Sequence, residues 1–115
     1  KAVCILEFKK HTLSSPISEQ CFTNYYPRPD GRKYKRLALL RDYLASKSNS
    51  RILFFVLYYP TQTYIEQQWK LEVIEGNAFS LRATDSFIFE LPADKSDNEY
   101  KKVIEKISQV IAARS

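Results

Sequence analysis

Glu7 and Lys9 are the two residues of this sequence whose types and spacing best suit chemistry. They end the apolar segment CILEFKKH and stand two apart, so in a strand their side chains point the same way. A carboxylate and a backbone carbonyl, here that of Phe8, bind a hard cation such as Mg²⁺. A nearby ammonium orients water or stabilises charge on a phosphate. The pair predicts metal-assisted phosphodiester hydrolysis. The alternative is two hydrated, weakly paired charges at a strand end.

The segments around this pair predict a strand, a helix and a second strand. Residues 2–9 are apolar on both faces until their end, which is typical of a strand covered on both sides. Residues 32–47 have helical periodicity, and residues 51–59 lack polar alternation, as a second buried strand does. This order predicts a crossover between parallel strands. Sheets of this kind bind ligands at the carboxyl ends of their strands, where we expect Glu7 and Lys9.

Two helices are predicted between the first and the second strand, where they pack against the sheet. Residues 17–26 fit a short helix that Pro27 and Pro29 bring to an end. The helix over residues 32–47 is expected to bury one stripe of side chains. That stripe contains Tyr34, Leu37, Leu40 and Leu44.

The second half of the chain predicts a hairpin and a terminal helix. Residues 69–74 alternate in polarity, and Gly76-Asn77 provides a hairpin turn into residues 78–91. Ser96 and Glu99 have the spacing of a capping box at the start of the last helix. Together with the first half, these elements predict an α/β domain with a mixed β-sheet flanked by helices.

The apolar strand ending in E-x-K, the helix and the second apolar strand resemble the PD-(D/E)XK nuclease superfamily, which has the restriction-endonuclease-like fold. The resemblance covers about residues 2–60. It implies a restriction-endonuclease-like core and a Mg²⁺-dependent deoxyribonuclease. It also implies that Glu7 is catalytic as the metal ligand and that Lys9 is catalytic through the attacking water.

The resemblance is incomplete at one metal ligand. The family has a further Asp on the strand before E-x-K, and no Asp precedes Glu7 here. Either that Asp belongs to a preceding segment or the site is degenerate. RecB-like branches of the family carry Gln and then Tyr in the next helix, which implies a catalytic role for Gln20 in positioning metal or substrate. Tyr25 stands one position later than the usual spacing, and Glu19 is an alternative migrated ligand.

A basic segment follows at residues 25–36, YYPRPDGRKYKR, with five cations and one carboxylate. Arg32 and Lys33 fall in the first helical turn, where cations oppose the helix dipole, so phosphate binding explains them better than helix stability does. The alternative is a hydrated helix face. Asp30 is predicted to be a turn or cap residue. The predicted nucleic-acid-binding residues are Lys10, His11, Arg28, Arg32, Lys33 and Arg36, although a lone histidine such as His11 is also common in ordinary loops.

Length, charge and cysteine content place limits on partners and location. The 115 residues fit a single domain, and a start on Lys1 within a strand predicts the C-terminal part of a longer nuclease-like protein. Residues 1–60 contain 11 Lys/Arg against 4 Asp/Glu, which favours a nucleic-acid partner, DNA before RNA. Cys4 and Cys21 are too isolated for a zinc site and predict a reduced, cytoplasmic protein. No membrane partner is predicted, and a homodimer is left open.

Two other functions compete with the nuclease. One is a nucleic-acid-binding module of the same fold without catalysis, which the missing Asp favours. The other is a protein-interaction domain that uses an exposed aromatic surface. The aromatic residues in question are Tyr58, Tyr59, Tyr64 and Trp69.

Overall fold

The computed structural model of the protein describes residues 4–11, 15–61, 67–94 and 96–114, and these residues contain two α-helices and four β-strands. They are strand β1 (Cys4–His11), helix α1 (Gly31–Ser48), strands β2 (Leu53–Pro60), β3 (Gln68–Asn77) and β4 (Ser80–Glu90), and helix α2 (Asp97–Arg114). Two single turns of 3-10 helix, Ile17–Glu19 and Phe22–Asn24, lie between β1 and α1. Of the helices in these ranges, none has both the length and the apolar character needed to cross a bilayer.

The four strands form one mixed sheet in the order β1-β2-β3-β4. β1 runs parallel to β2, whereas β2 with β3 and β3 with β4 are antiparallel. Helix α1 connects the two parallel strands, so the predicted strand, helix and parallel strand are confirmed. The predicted α/β class with a mixed sheet and helices is confirmed as well.

The core has two layers because β2 is buried on both faces. Phe54, Val56 and Tyr58 point into one cluster, which α1 covers through Tyr34 and Ala38. The alternate β2 residues point into a second cluster with side chains of α2. Each large apolar side chain buried in this way contributes about 1.5–3 kcal/mol. The sheet therefore lies between two helices, and whatever projects from the α1 face of β1 is held between sheet and helix. The second cluster is formed by Leu53, Phe55, Leu57, Leu71, Val73, Phe89, Leu91, Val103 and Ile107.

The predicted helix over residues 17–26 is wrong. The chain forms two separate 3-10 turns there, with Gln20 in an extended conformation between them. The extended backbone lets the Gln20 carbonyl accept a hydrogen bond from the Lys70 ammonium, while Ile17 and Phe22 are fully buried. Contacts with the sheet therefore override the local helical pattern.

Helix α1 is confirmed, but its buried stripe differs from the prediction. Tyr34 and Ala38 are the buried residues, and Leu37 packs partly against them. Leu40 is 45% exposed, so its predicted burial is wrong. Helix α1 packs on β2 through the side that carries Tyr34 and Ala38. Leu40 lies on the outer side of the helix. The helix ends at Asn49, whose φ of 51° is left-handed and whose N–H bonds the Ala45 carbonyl.

The predicted hairpin and terminal helix are present, but the hairpin turn is Ala78-Phe79, two residues after the predicted Gly76-Asn77, because β3 continues through Asn77. Asn77 of β3 pairs with Ser80 of β4, and Gly76 in the turn region has a φ of 106°. A Cβ on Gly76 would collide with the Ser80 carbonyl, so the turn requires glycine there. Before α2, the Ser96 hydroxyl accepts the Glu99 N–H at 3.3 Å, as the capping-box prediction requires.

Candidate active site on the α1 face of β1

Glu7 and Lys9 lie side by side on the face of β1 that α1 covers. Glu7 is opposite Val56 and Lys9 is opposite Tyr58, two β2 residues of the core on that face. Both side chains are partly buried, with 21% and 22% of their surface exposed. The shared orientation predicted from their spacing is therefore present in the fold, and neither charge extends freely into solvent.

The start of α1 provides an opposite charge for each member of this pair. The Lys9 ammonium donates to Asp30 Oδ2 at 2.7 Å, and the Lys33 ammonium lies 3.1 Å from Glu7 Oε2. Lys33 also lies 3.9 Å from Asp30 Oδ2. Two carboxylates and two ammoniums thus alternate in a small cluster between strand and helix, which we call the charged cluster.

Asp30 is at the N-cap position of α1, as predicted, but its side chain makes no capping hydrogen bond. Only its backbone carbonyl accepts a helix N–H, that of Tyr34, at 3.1 Å. The carboxylate turns to the cluster instead. The hydrogen bond from Lys9 lowers the pKa of the Asp30 carboxyl group, which keeps it anionic.

Lys9 is also fixed by an aromatic ring. Its ammonium lies 4.1 Å from the centre of the Tyr25 ring, within the range of a cation–π contact. Burial is the main reason that the pKa of Tyr25 is raised, and interaction with Gln20 lowers it in part. Gln20 accepts a hydrogen bond from Asn24, the residue before Tyr25, so Gln20 and Tyr25 belong to one segment beside Lys9, although their spacing differs from that of the RecB-like pattern.

His11 and Gln20 are buried, with 5% and 0% exposure, and bond to each other. His11 Nε2 lies 2.6 Å from the Ser15 carbonyl, so it donates there, and Nδ1 accepts from the Gln20 amide at 2.9 Å. Gln20 Oε1 accepts from Asn24 at 2.7 Å. His11 is thus buried with both ring nitrogens bonded within the chain, which differs from its predicted place on an exposed binding surface.

The other predicted nucleic-acid-binding residues divide into two groups. Lys33 belongs to the charged cluster. The remaining cations are exposed, and among the described residues their side chains take part in no ion pair or hydrogen bond. This second group consists of Lys10, Arg28, Arg32 and Arg36. Their ammonium and guanidinium groups are consequently accessible to an anionic partner.

Sequence reasoning missed a second polar pair on β3. Lys70 and Glu72 are buried, 7% and 4% exposed, on the same sheet face as Glu7 and Lys9. Lys70 donates to the Ser18 carbonyl at 3.0 Å, and Tyr58 donates to Glu72 Oε1 at 2.6 Å. The polar alternation of β3 was the available signal, but it indicates an exposed face equally well.

Tyr34 contributes a buried hydroxyl that, among the described residues, has no hydrogen-bond partner. Its side chain is fully buried between Phe22 and Phe54. Burial raises the pKa of Tyr34, and the charges of Asp30 and Glu7 raise it further. The Lys33 ammonium lies 5.2 Å from the centre of the Tyr34 ring, so the ring adjoins the charged cluster.

A cation such as Mg²⁺ fits the chemistry of the charged cluster in part. No group of three or more His, Cys, Asp or Glu side chains that could hold a metal occurs in the described ranges. Glu7 and Asp30 nevertheless present hard carboxylate oxygens on either side of one ammonium. Mg²⁺ is commonly held by one or two carboxylates and several waters, so two carboxylates suffice.

The predicted aromatic interaction surface is not formed. Tyr58 is fully buried, and Trp69 is partly buried against α2. Tyr59 is also partly buried, and Tyr64 lies outside the described residues. Because β2 is apolar and lies in the middle of the sheet, Tyr58 belongs to the core.

Comparisons with protein-family models, curated proteins and solved structures found no match to this chain. The likeness to the PD-(D/E)XK superfamily consequently rests on Glu7, Lys9 and the order of strand, helix and strand. Function has to be argued from the contacts around these residues.

Proposed function

We propose that this chain is a Mg²⁺-dependent nuclease domain with a restriction-endonuclease-like core, which hydrolyses phosphodiester bonds of DNA. One observation carries the proposal. Glu7 and Lys9 project together from β1 and are both bound to the first residues of the basic helix α1 through Asp30 and Lys33. A metal-binding carboxylate and a phosphate-binding ammonium are thereby adjacent, as this hydrolysis requires.

The residues divide the work according to their contacts. Glu7 holds the cation, which when bound supplies charge neutralisation at the phosphate and acidifies a bound water. Lys9 presents an ammonium whose position is fixed by Asp30 and the Tyr25 ring. Gln20 bonds to His11 and to Asn24, the residue before Tyr25, so it acts on the chemistry by positioning this segment. A group held in this way loses little freedom when substrate binds.

The exposed cations near the start of α1 supply the contact with DNA. Arg28, Arg32 and Arg36 are exposed at or after the turn that leads into α1, and Lys10 is exposed next to Lys9. Contacts of arginine and lysine with phosphates provide most of the affinity that is independent of sequence. The three arginines therefore hold the backbone of DNA beside the charged cluster, whereas Lys10, which follows Lys9 in β1, points to the other face of the sheet.

Cleavage of plasmid DNA with Mg²⁺ tests the proposal. We expect Glu7→Gln and Lys9→Met each to reduce the cleavage rate on the order of 100-fold, because each removes one charged group from the reacting phosphate. Glu105→Gln and Lys106→Met are matched controls, since both residues are exposed on α2. Cleavage that persists at the normal rate in both site variants would reject this active site.

The second candidate is a DNA-binding module without catalysis. It is favoured by the Lys33 ammonium, which lies between Glu7 and Asp30 and neutralises both carboxylates. Its expected behaviour is binding that weakens steeply with salt, with no cleavage at any Mg²⁺ concentration.

A further inference from the structure

The charged cluster contains a second carboxylate that sequence reasoning assigned to helix capping. Asp30 and Glu7 come from different elements, the start of α1 and the middle of β1, and the Lys33 ammonium lies within 3.1 Å of one and 3.9 Å of the other. The fold thus brings together two oxygen donors that are 23 residues apart in the sequence, with a single cation between them.

Asp30 gives up its ordinary structural role to take part in this arrangement. An Asp at an N-cap usually contributes about 1 kcal/mol by accepting an N–H of the first turn. The Asp30 side chain makes no such bond and faces Lys9 and Lys33 instead. The position of this carboxylate is therefore set by the charged groups of the cluster and not by the free amides of its own helix.

The Tyr34 hydroxyl is the independent sign of a missing ligand. It is fully buried and has no partner among the described residues, and the Lys33 ammonium lies 5.2 Å from the centre of its ring. An unpaired buried hydroxyl costs about 1–3 kcal/mol. An oxygen brought in with a cation, such as a coordinated water, would satisfy it.

We propose that Asp30 and Glu7 together form the divalent-cation site, and that Lys33 occupies this site in the metal-free protein and leaves it when the cation binds. This inference rests on the proposed nuclease function, because it names the ligand that complements Glu7. The Lys33 side chain is 42% exposed, so its ammonium has solvent to move into. When a divalent cation replaces the Lys33 ammonium, the cluster exchanges one positive charge for two and has an excess of positive charge. This excess favours the binding of a phosphate at that position.

Titration of the full chain with Mn²⁺, followed by the electron paramagnetic resonance signal of free Mn²⁺, tests the site without DNA. We expect Asp30→Asn and Glu7→Gln each to weaken binding about ten- to a hundredfold, because each loses a ligand charge. We expect Lys33→Met to strengthen binding roughly tenfold, because it removes the competing ammonium. Matched controls on the same helix are Asp42→Asn and Lys35→Met, which should bind like the parent protein.

Opposite shifts in the Asp30 and Lys33 variants separate the proposal from a general loss of folding, which would weaken both. Normal affinity in Asp30→Asn, weaker binding in Lys33→Met, or no Mn²⁺ binding by the parent protein would each overturn it. If the protein binds Mn²⁺ in a way that depends on Asp30 but cleaves no DNA, the cation site is retained and the nuclease function is rejected. Cleavage at the normal rate in Asp30→Asn would retain the nuclease and reject this ligand.

Discussion

Glu72 is the most deeply placed carboxylate on the α1 face of the sheet, and its charge has to be maintained among apolar neighbours. It lies across Val56 from Glu7, because Val56 pairs with both residues in the sheet. Burial raises the pKa of Glu72, while the Tyr58 hydroxyl, Lys70 and the Phe22 N–H oppose the rise in part. The raised value means that the ionised form is less favourable in the folded protein than in the unfolded chain.

The sign of the resulting pH dependence follows directly. A carboxyl group whose folded pKa is raised contributes most to stability below its ordinary pKa, and this contribution is lost as pH rises through the raised value. We expect Glu72→Gln, which cannot ionise, to gain in melting temperature relative to the parent protein as pH rises above about 4, the ordinary pKa of a glutamate. Thermal denaturation followed by circular dichroism measures this difference, with the exposed Glu105→Gln as control. A difference that stays constant with pH would mean that Glu72 contributes only through packing.

The sequence pattern predicted the orientation of Glu7 and Lys9, but it predicted neither the contact of Asp30 with Lys9 nor the burial of Glu72. The common orientation of Glu7 and Lys9 follows from the two-residue period of a strand, which requires no knowledge of the fold. The contact of Asp30 with Lys9 depends on how α1 packs on β1, and the burial of Glu72 depends on the β2–β3 register. Neither relation is encoded by spacing along the chain.

At the scale of elements, α1 decides the geometry of the charged cluster because Asp30 and Lys33 are at its start. The helix is held on the sheet by the buried Tyr34 and Ala38, and Arg41 donates to the Gly76 carbonyl at 2.7 Å. Strong periodicity made this helix predictable. The preceding segment was mispredicted because Gln20 takes an extended conformation and its carbonyl accepts from Lys70, a residue of β3.

The end of α1 allows stability to be changed without touching the site. Asn49 has a left-handed φ of 51°, a conformation that costs an alanine about 1 kcal/mol and a glycine almost nothing. We expect Asn49→Ala to lower the free energy of unfolding by about 1 kcal/mol and Asn49→Gly to leave it nearly unchanged. Urea denaturation measures both.

The 18 residues of α1 put this cap about 27 Å from the charged cluster, so Mn²⁺ affinity should stay constant in the Asn49 variants. Asn98→Ala in α2, which is helical in the parent, serves as the control for the amino-acid change. Reduced Mn²⁺ affinity in Asn49→Ala would show that the cap and the cluster are coupled through the helix.

At the scale of the whole molecule, the two helices give the sheet two chemically different sides. α1 carries Arg32 and Arg36 exposed beside the charged cluster, whereas α2 covers the opposite face through Val103 and Ile107. The first 60 residues, with 11 Lys/Arg against 4 Asp/Glu, include β1, α1 and β2. Six of these 11 Lys/Arg residues lie on α1, so the helix on one face of the sheet carries more than half of the positive charge of this part of the chain.

Salt dependence distinguishes this oriented binding from a general attraction to a basic protein. We expect the double variant Arg32→Gln/Arg36→Gln to lower the slope of log affinity against log salt by about 2 for duplex DNA, because each phosphate contact contributes about 0.9. Fluorescence anisotropy without Mg²⁺, in a Glu7→Gln background in which cleavage is also slowed, provides the affinities. The matched control Lys101→Gln/Lys106→Gln removes the same charge from exposed positions of α2. If both double variants changed the slope equally, net charge would account for binding, and the α1 side would hold no DNA site.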